Sequence, residues 1–433
     1  MSNSITGYRK TLDNCIGMLC FQYRSYVRCA DKDFSRSSKF TFETIIRIIL
    51  EFQAKSLQNE INDHFYFNPK KIGTKSAFIQ QRAKIKPHAF RQLFDMFLSS
   101  ISMDKTFYGY RLVACDGTQI NLPRNPKDLE TTIISNPEGK SHNGMHMTAL
   151  FDLGKRVYID YMLDSACHFH ELKNMISMAS KLPNPENTIM ICDRGFGFYN
   201  SIAHLNELGM RFLIRLKDIH SNGFIGKYGL PDTEFDMDIQ KTLVCSNRKE
   251  YKDNPDYHIL QKFAFDYFDT APEFPIAFRL VRFEISPGHF EVLATNLPRD
   301  TFPPSLLKEL YHMRWGIETY FRNLKYSLGM MYFHSLKHDS VIQEIHASML
   351  MLNFCSLVVS ETPIAQKPDC KWEYHVNFAA AVAVCRVILR AKRFVPSEFY
   401  AVLFALNPCP TRPNRHFKRN LHDTMPAMSF LYR

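Results

Sequence analysis

Residues Leu307–Met331 read LKELYHMRWGIETYFRNLKYSLGMM, a proline-free run that opens three residues after Pro304 and is built from strong helix formers. The pattern predicts one long helix. At about 100° per residue, Tyr311, Arg314, Glu318 and Lys325 project within a wedge of roughly 60°, and Ile317, Phe321, Leu324 and Leu328 fill a neighbouring wedge. One face packs into a core, and the adjoining face carries a phenol, a guanidinium, a carboxylate and an ammonium. Such a row is an ordinary solvated face with i,i+4 ion pairs if water covers it. Against a core it costs desolvation unless a polyanion or a metal ion meets it.

Working outward, Tyr110 marks a change to strands: RLVACDGTQINL, then GMHMTALFDL and KRVYIDYMLD separated by Gly154. HFHELKNMISMASKL has helical periodicity, TIMICD is a short apolar strand, FYNSIAHLNELG is a helix ending at Gly209, and RFLIRLK is a strand. Three strands, a helix, a strand, a helix and a strand is the order expected of a ribonuclease H-like α/β core. In such a sheet the first and fourth strands lie side by side. Asp116 and Asp193 each close a buried apolar run, so this fold would bring them together and the late helix would add Glu318. Each aspartate is also followed closely by glycine (Asp116-Gly117, Asp193-Arg194-Gly195), so each taken singly reads equally well as a turn former. Three converging carboxylates repel one another, and hard oxygen donors select Mg²⁺ or Mn²⁺ over zinc. Two such ions roughly 4 Å apart suit in-line attack on a phosphodiester.

The spacing Y-x2-R-x3-E-x6-K from Tyr311 to Lys325, preceded in order by ACDGT and CDRGFGFYN, resembles the signature of the insertion-sequence-4 branch of bacterial DDE transposases. The resemblance covers about Tyr110 to Lys337. It implies Asp116, Asp193 and Glu318 as catalytic metal ligands for a pair of Mg²⁺ or Mn²⁺ ions, and Tyr311, Arg314 and Lys325 as DNA phosphate contacts. Arg194, beside the second aspartate, reads as a phosphate contact or a structural salt bridge. The same branch carries a β insertion between its second and third acids. Here the segment 218–303, with Gly, Pro and Asp turns around FPIAFRLVRFEI and HFEVLATNL, reads as mostly β. Branch members that cut through a hairpin stack a flipped base on an aromatic of the insertion, often Trp. This insertion contains no Trp, leaving Phe290 or His289 for that role. Trp315, inside the helix, reads as a core anchor.

The expected organisation is a helical DNA-binding domain over 1–105, the catalytic core over 106–217 and 304–336, the β-rich insertion over 218–303, and a helical region over 337–433. The fold class is therefore α/β: a ribonuclease H-like core interrupted by a mostly β insertion, with helical N-terminal and C-terminal parts. Near the N-terminus, Gln80, Gln81, Arg82 and Lys84 precede Pro87 and a further helix, a pattern compatible with helix-turn-helix DNA reading. Arg82 and Lys84 are its candidate DNA contacts.

The chain has 433 residues, 45% of them hydrophobic, enough for a large core, and a formal net charge of +11 that favours a polyanionic partner. Residues 1–110 hold 17 Lys and Arg against 9 Asp and Glu, and the segment from Arg412 to Arg419 adds Arg415 and Lys418. The 11 cysteines include no CxxC pair, which argues against a zinc ribbon or a disulfide framework. Cys167, His168 and His170 lack a second ligand cluster, and Gly195-Phe196-Gly197 lacks the third glycine of a dinucleotide loop. Neither a signal peptide nor an apolar run of about 18 residues is evident, so no membrane partner and a cytoplasmic, bacterial setting are expected. A transposase must hold two DNA ends at once. A homodimer on double-stranded DNA is therefore expected, with the apolar helices after Ser340 as the candidate interface. The rival functions are an inactive transposase-derived DNA-binding protein and a ribonuclease H-like nuclease without strand transfer. A glycosidase would leave the basic surplus unexplained.

Overall fold

The computed structural model describes residues 4–134, 141–362, 364, 366, 371–391 and 397–411. The basic segment containing Arg415 and Lys418 lies outside the described residues. In chain order the strands are β1 (Arg111–Leu122), β2 (Thr132–Ile133), β3 (His142–Asp152), β4 (Val157–Ser165), β5 (Thr188–Cys192), β6 (Arg211–Leu216), β7 (Phe235–Val244), β8 (Tyr257–Ile259), β9 (Glu273–Ser286) and β10 (His289–Thr295). All ten share one mixed sheet.

Strand β1 pairs antiparallel with β3 and parallel with β5; β4 flanks β3, and β6 runs parallel beside β5. The resulting order, β4-β3-β1-β5-β6, is the one expected of a ribonuclease H-like core. Parallel neighbours need crossovers, and α6 (Glu171–Ala179) and α7 (Tyr199–Glu207) supply them. The segment 218–303 contributes β7 to β10, and β10 pairs antiparallel with β6, so these strands extend the core sheet from its far edge.

The register sets the site. Cys115 is opposite Cys192, and Cys192 is opposite Ile214. One step further along each strand stand Asp116, Asp193 and Arg215. Strands lie about 4.8 Å apart and side chains alternate faces, so these three form one row on one face of the sheet.

The N-terminal part is helical: α1 (Ile5–Phe21), α2 (Phe42–Leu50), α3 (Leu57–His64), α4 (Lys75–Arg82) and α5 (His88–Ser99). The side chains of Ser4, Thr41, Ser56 and Thr74 each accept a backbone N–H from the first turn of α1, α2, α3 and α4, which ends the preceding loop. After the short α8 (Lys249–Lys252) come α9 (Pro304–Met313), α10 (Trp315–Arg322), α11 (His338–Ser360), α12 (Phe378–Arg390) and α13 (Ser397–Ala405). By length and hydropathy α11 could cross a membrane, but 83% of its apolar window is buried in the fold. It is the central core helix, packed by α1, α2, α5 and β4. Of the helices after Ser340 expected at a dimer interface, α11 thus has its apolar surface covered within one chain, whereas α12 exposes Val387 and α13 exposes Val402.

The helix-turn-helix reading also needs correction. Arg82 is 2% exposed, with Nη1 2.8 Å from Glu344, Nε donating to Gln343 and Nη2 to the Ser340 carbonyl. It ties α4 to α11 and cannot reach a phosphate. The following helix, α5, buries Ala89, Phe90, Leu93, Phe94 and Phe97, and its Arg91 is held by Asp95 and Asp160. Lys84, half-buried, donates to Gln81 and lies over the Phe34 ring.

Beside Arg82, His334 lies between Glu344 at 3.2 Å and Glu60 at 3.6 Å. Burial alone would push the imidazolium down, but the two carboxylates outweigh it and raise its pKa to about 9. A raised folded pKa contributes stability that is complete below the unfolded value near 6.5 and is lost as pH climbs through about 9. Urea unfolding between pH 7 and pH 10 should show a loss approaching about 3 kcal/mol from this residue, flattened in His334→Gln.

Candidate active site

The acidic row is roofed by the region read as one long helix. It begins earlier, at Pro304, where the missing N–H costs nothing in the first turn, and it has two irregularities. The ladder tightens at Arg314, whose N–H bonds to the Tyr311 carbonyl, and Asn323–Ser327 form a π turn closed by Leu328 N–H to the Asn323 carbonyl. Apolar Leu307, Leu310, Ile317, Phe321 and Leu324 are all buried and clamp the element onto the sheet. π turns often mark functional positions, and this one carries Lys325.

Arg314 links the helix to the strand. Its Nη1 is 3.1 Å from Asp116 Oδ2 and its Nη2 is 2.6 Å from Glu318 Oε1, and the residue is 4% exposed. Arg314 thus reaches an acid 198 positions away in sequence as well as one a single helical turn on. Asp193 stands level with Asp116 on the neighbouring strand, at the end of β5, and its Oδ1 accepts the Gly195 N–H at 2.8 Å. Burial lifts the Asp116 pKa to about 6; Arg314 opposes the rise, and the charges of Asp193 and Glu318 add to it. Asp193 and Glu318 are therefore each within electrostatic reach of Asp116. Burial works against the Arg314 guanidinium, but Tyr311, Glu318 and Asp116 more than compensate and hold it charged.

Lys325 Nζ donates to Thr118 Oγ1 at 2.7 Å. Thr118 follows Asp116 by two residues and so faces the same way. Burial depresses the Lys325 pKa. Tyr311 is 4% exposed, its pKa is raised to about 12 chiefly by burial, and its buried hydroxyl has no hydrogen-bond partner among the described residues. Arg194 is exposed at the rim, next to Asp193.

The structure thus brings Asp116, Asp193, Glu318, Tyr311, Arg314 and Lys325 to one place, leaves Arg194 at its edge, and puts Arg82 elsewhere. Trp315, expected to anchor the core, is instead 48% exposed, since it falls on the helix face away from Ile317, Phe321 and Leu324. Phe290 is half-buried with the Arg282 guanidinium 3.8 Å from its ring centre, and His289 is exposed. The sequence reading overlooked Arg215 and Glu291, which form an ion pair of 3.1 Å at the end of the acidic row. Their signal was a charge in each of two otherwise apolar strands, RFLIRLK and HFEVLATNL.

Among the described residues no three His, Cys, Asp or Glu side chains stand close enough together to hold a metal ion as placed. Arg314 occupies the position between two of the acids. The donor set nonetheless fits a hard cation: all three groups are carboxylates, and Asp116, lifted by burial and by two like charges, would be relieved by a positive ion.

No curated protein matches the chain. Among solved structures it is similar to the cryo-EM structure of a piggyBac transposase synaptic complex with hairpin DNA, with 12% sequence identity and a TM-score of 0.45 over 94% of this chain and 83% of that one. The family model described as the transposase DDE domain matches residues 107–354, more than half of the sequence and the whole stretch from β1 through the acidic site. The chain belongs to the family of transposase DDE domains.

Proposed function

We propose that this chain is a DNA transposase of the insertion-sequence-4 type, which binds the ends of its element, cuts them in a metal-dependent reaction and joins them to target DNA. The family supports transposase function at the coarser level. The observation that carries the finer reading is the bridge from Asp116 through Arg314 to Glu318, with Asp193 level with Asp116. Asp116, Asp193 and Glu318 would hold Mg²⁺ or Mn²⁺, which when bound supplies charge stabilisation at a phosphodiester. Arg314 neutralises two of these acids in the absence of ions and keeps them from splaying apart. Lys325, placed by Thr118, offers a point charge to a phosphate, and the buried Tyr311 hydroxyl has no acceptor among the described residues. A homodimer on double-stranded DNA in a bacterial cytoplasm completes the proposal.

The deciding experiment supplies pre-cut DNA from the sequence flanking the coding region, a target plasmid and Mg²⁺. Joined products are expected. Cutting without joining would favour a nuclease, and binding without either reaction would favour an inactive derivative.

A further inference from the structure

We propose that Arg215 is a phosphate contact for the DNA strand leaving the acidic site, and that Glu291 positions it; this rests on the transposase reading above. Four observations converge. Arg215 continues the row begun by Asp116 and Asp193 on the same sheet face, so it stands about one strand spacing from the second acid. Its side chain is 35% exposed while that of Glu291 is 10% exposed, so the carboxylate is the buried tether and the guanidinium the presented group. Arg314, by contrast, has both terminal nitrogens committed to acids. Arg215 makes one side-chain ion pair and keeps a guanidinium edge toward a cleft that it lines with Arg194, Lys217 and Phe290.

The cleft is cationic and has one firm wall. Arg282, held by Asp218 at 2.9 Å and Asp232 at 3.1 Å, packs on the Phe290 ring and fixes it. The third observation is Glu291 itself. Burial raises its pKa, and Arg215, Lys308, Arg314 and His312 all act to lower it, so this acid is held within a field of cations beside the site. The fourth is Tyr311, whose buried, unpartnered hydroxyl is within electrostatic reach of Arg215, Glu291 and Asp193. A phosphodiester in the cleft would take the remaining Nη edge of the Arg215 guanidinium on its two free oxygens. Residues at the ends of two adjacent strands span about 5 Å, which suits one backbone rather than both strands of a duplex.

The test uses the full chain with fluorescent DNA from the element's flank, either fully duplex or carrying a single-stranded extension, in EDTA so that nothing is cut. Arg215→Gln should bind the extended DNA about tenfold more weakly and lower the log–log salt slope by about one, with duplex binding unchanged. Arg215→Lys, which keeps the charge but loses the fork, should fall between. Glu291→Gln should keep affinity in EDTA within about twofold yet, in a parallel cleavage assay with Mg²⁺, lower kcat with KM unchanged, because it frees Arg215 without removing it. An unaltered affinity and salt slope in Arg215→Gln would overturn the inference while leaving the transposase reading standing. A wild-type chain that binds neither DNA at any salt concentration would overturn that reading itself, and this inference with it.

Discussion

Replacing Asp116 with Asn is expected to lower Mg²⁺-dependent strand cleavage on the order of a thousandfold or more, while binding of element-end DNA stays within a few fold of wild type. Asp193→Asn and Glu318→Gln should do the same. The substitutions are isosteric, so the Arg314 bridge can persist through the amide oxygens and the fold should hold, which circular dichroism would verify. Arg314 makes the expectation specific. With a neutral group at 116 or 318, the guanidinium loses one of the two charges it balances, and the site becomes more positive by one charge. DNA affinity should therefore rise slightly if it changes at all. A variant that binds end DNA normally and still cuts it would remove that residue from the chemistry.

Arg82→Met is the second large effect, and it concerns stability rather than DNA. The side chain is 3% exposed and Glu344 is 6% exposed, so removing the guanidinium strands a buried carboxylate beside His334. Breaking a buried pair from one side costs about 3–5 kcal/mol, enough to endanger a fold of ordinary stability. Urea unfolding should show that loss. Salt-dependent DNA binding, measured where the variant remains folded, should be unchanged. The double variant Arg82→Met, Glu344→Gln should recover part of the stability, since the orphaned charge is gone. A stable Arg82→Met protein with weakened DNA binding would restore the N-terminal helices as a DNA reader.

These two cases show where the residue pattern was informative and where it was not. The strands of the core were legible because each is an apolar run bounded by Gly or a charge; RLVACDGTQINL matches β1 residue for residue. The intervals among Tyr311, Arg314, Glu318 and Lys325 show only that the four share one helix face; that this face would meet Asp116 was implied by the family resemblance and the expected strand order. The role of Arg314 was not. Spacing shows that an arginine and a glutamate share a face, but only packing shows that the guanidinium is enclosed and turned toward Asp116. Trp315 was misassigned because residue type was weighed over position: at 100° per residue it falls well away from the wedge of Ile317, Phe321, Leu324 and Leu328, and it is exposed. Arg82 and the α11 residues were misassigned because a basic or apolar helix face carries no label for its partner. Residues 258 and 261 apart, Ser340 and Gln343 against Arg82, had to meet before that partner existed.

The central claim, that Asp116, Asp193 and Glu318 together hold hard divalent ions, is tested most directly by titrating Mn²⁺ into the DNA-free protein and recording bound ion by electron paramagnetic resonance. Saturable binding to the wild-type chain, weakened on the order of a hundredfold or more in Asp116→Asn, Asp193→Asn and Glu318→Gln alike, is the predicted result. Undiminished Mn²⁺ binding in all three variants would contradict it.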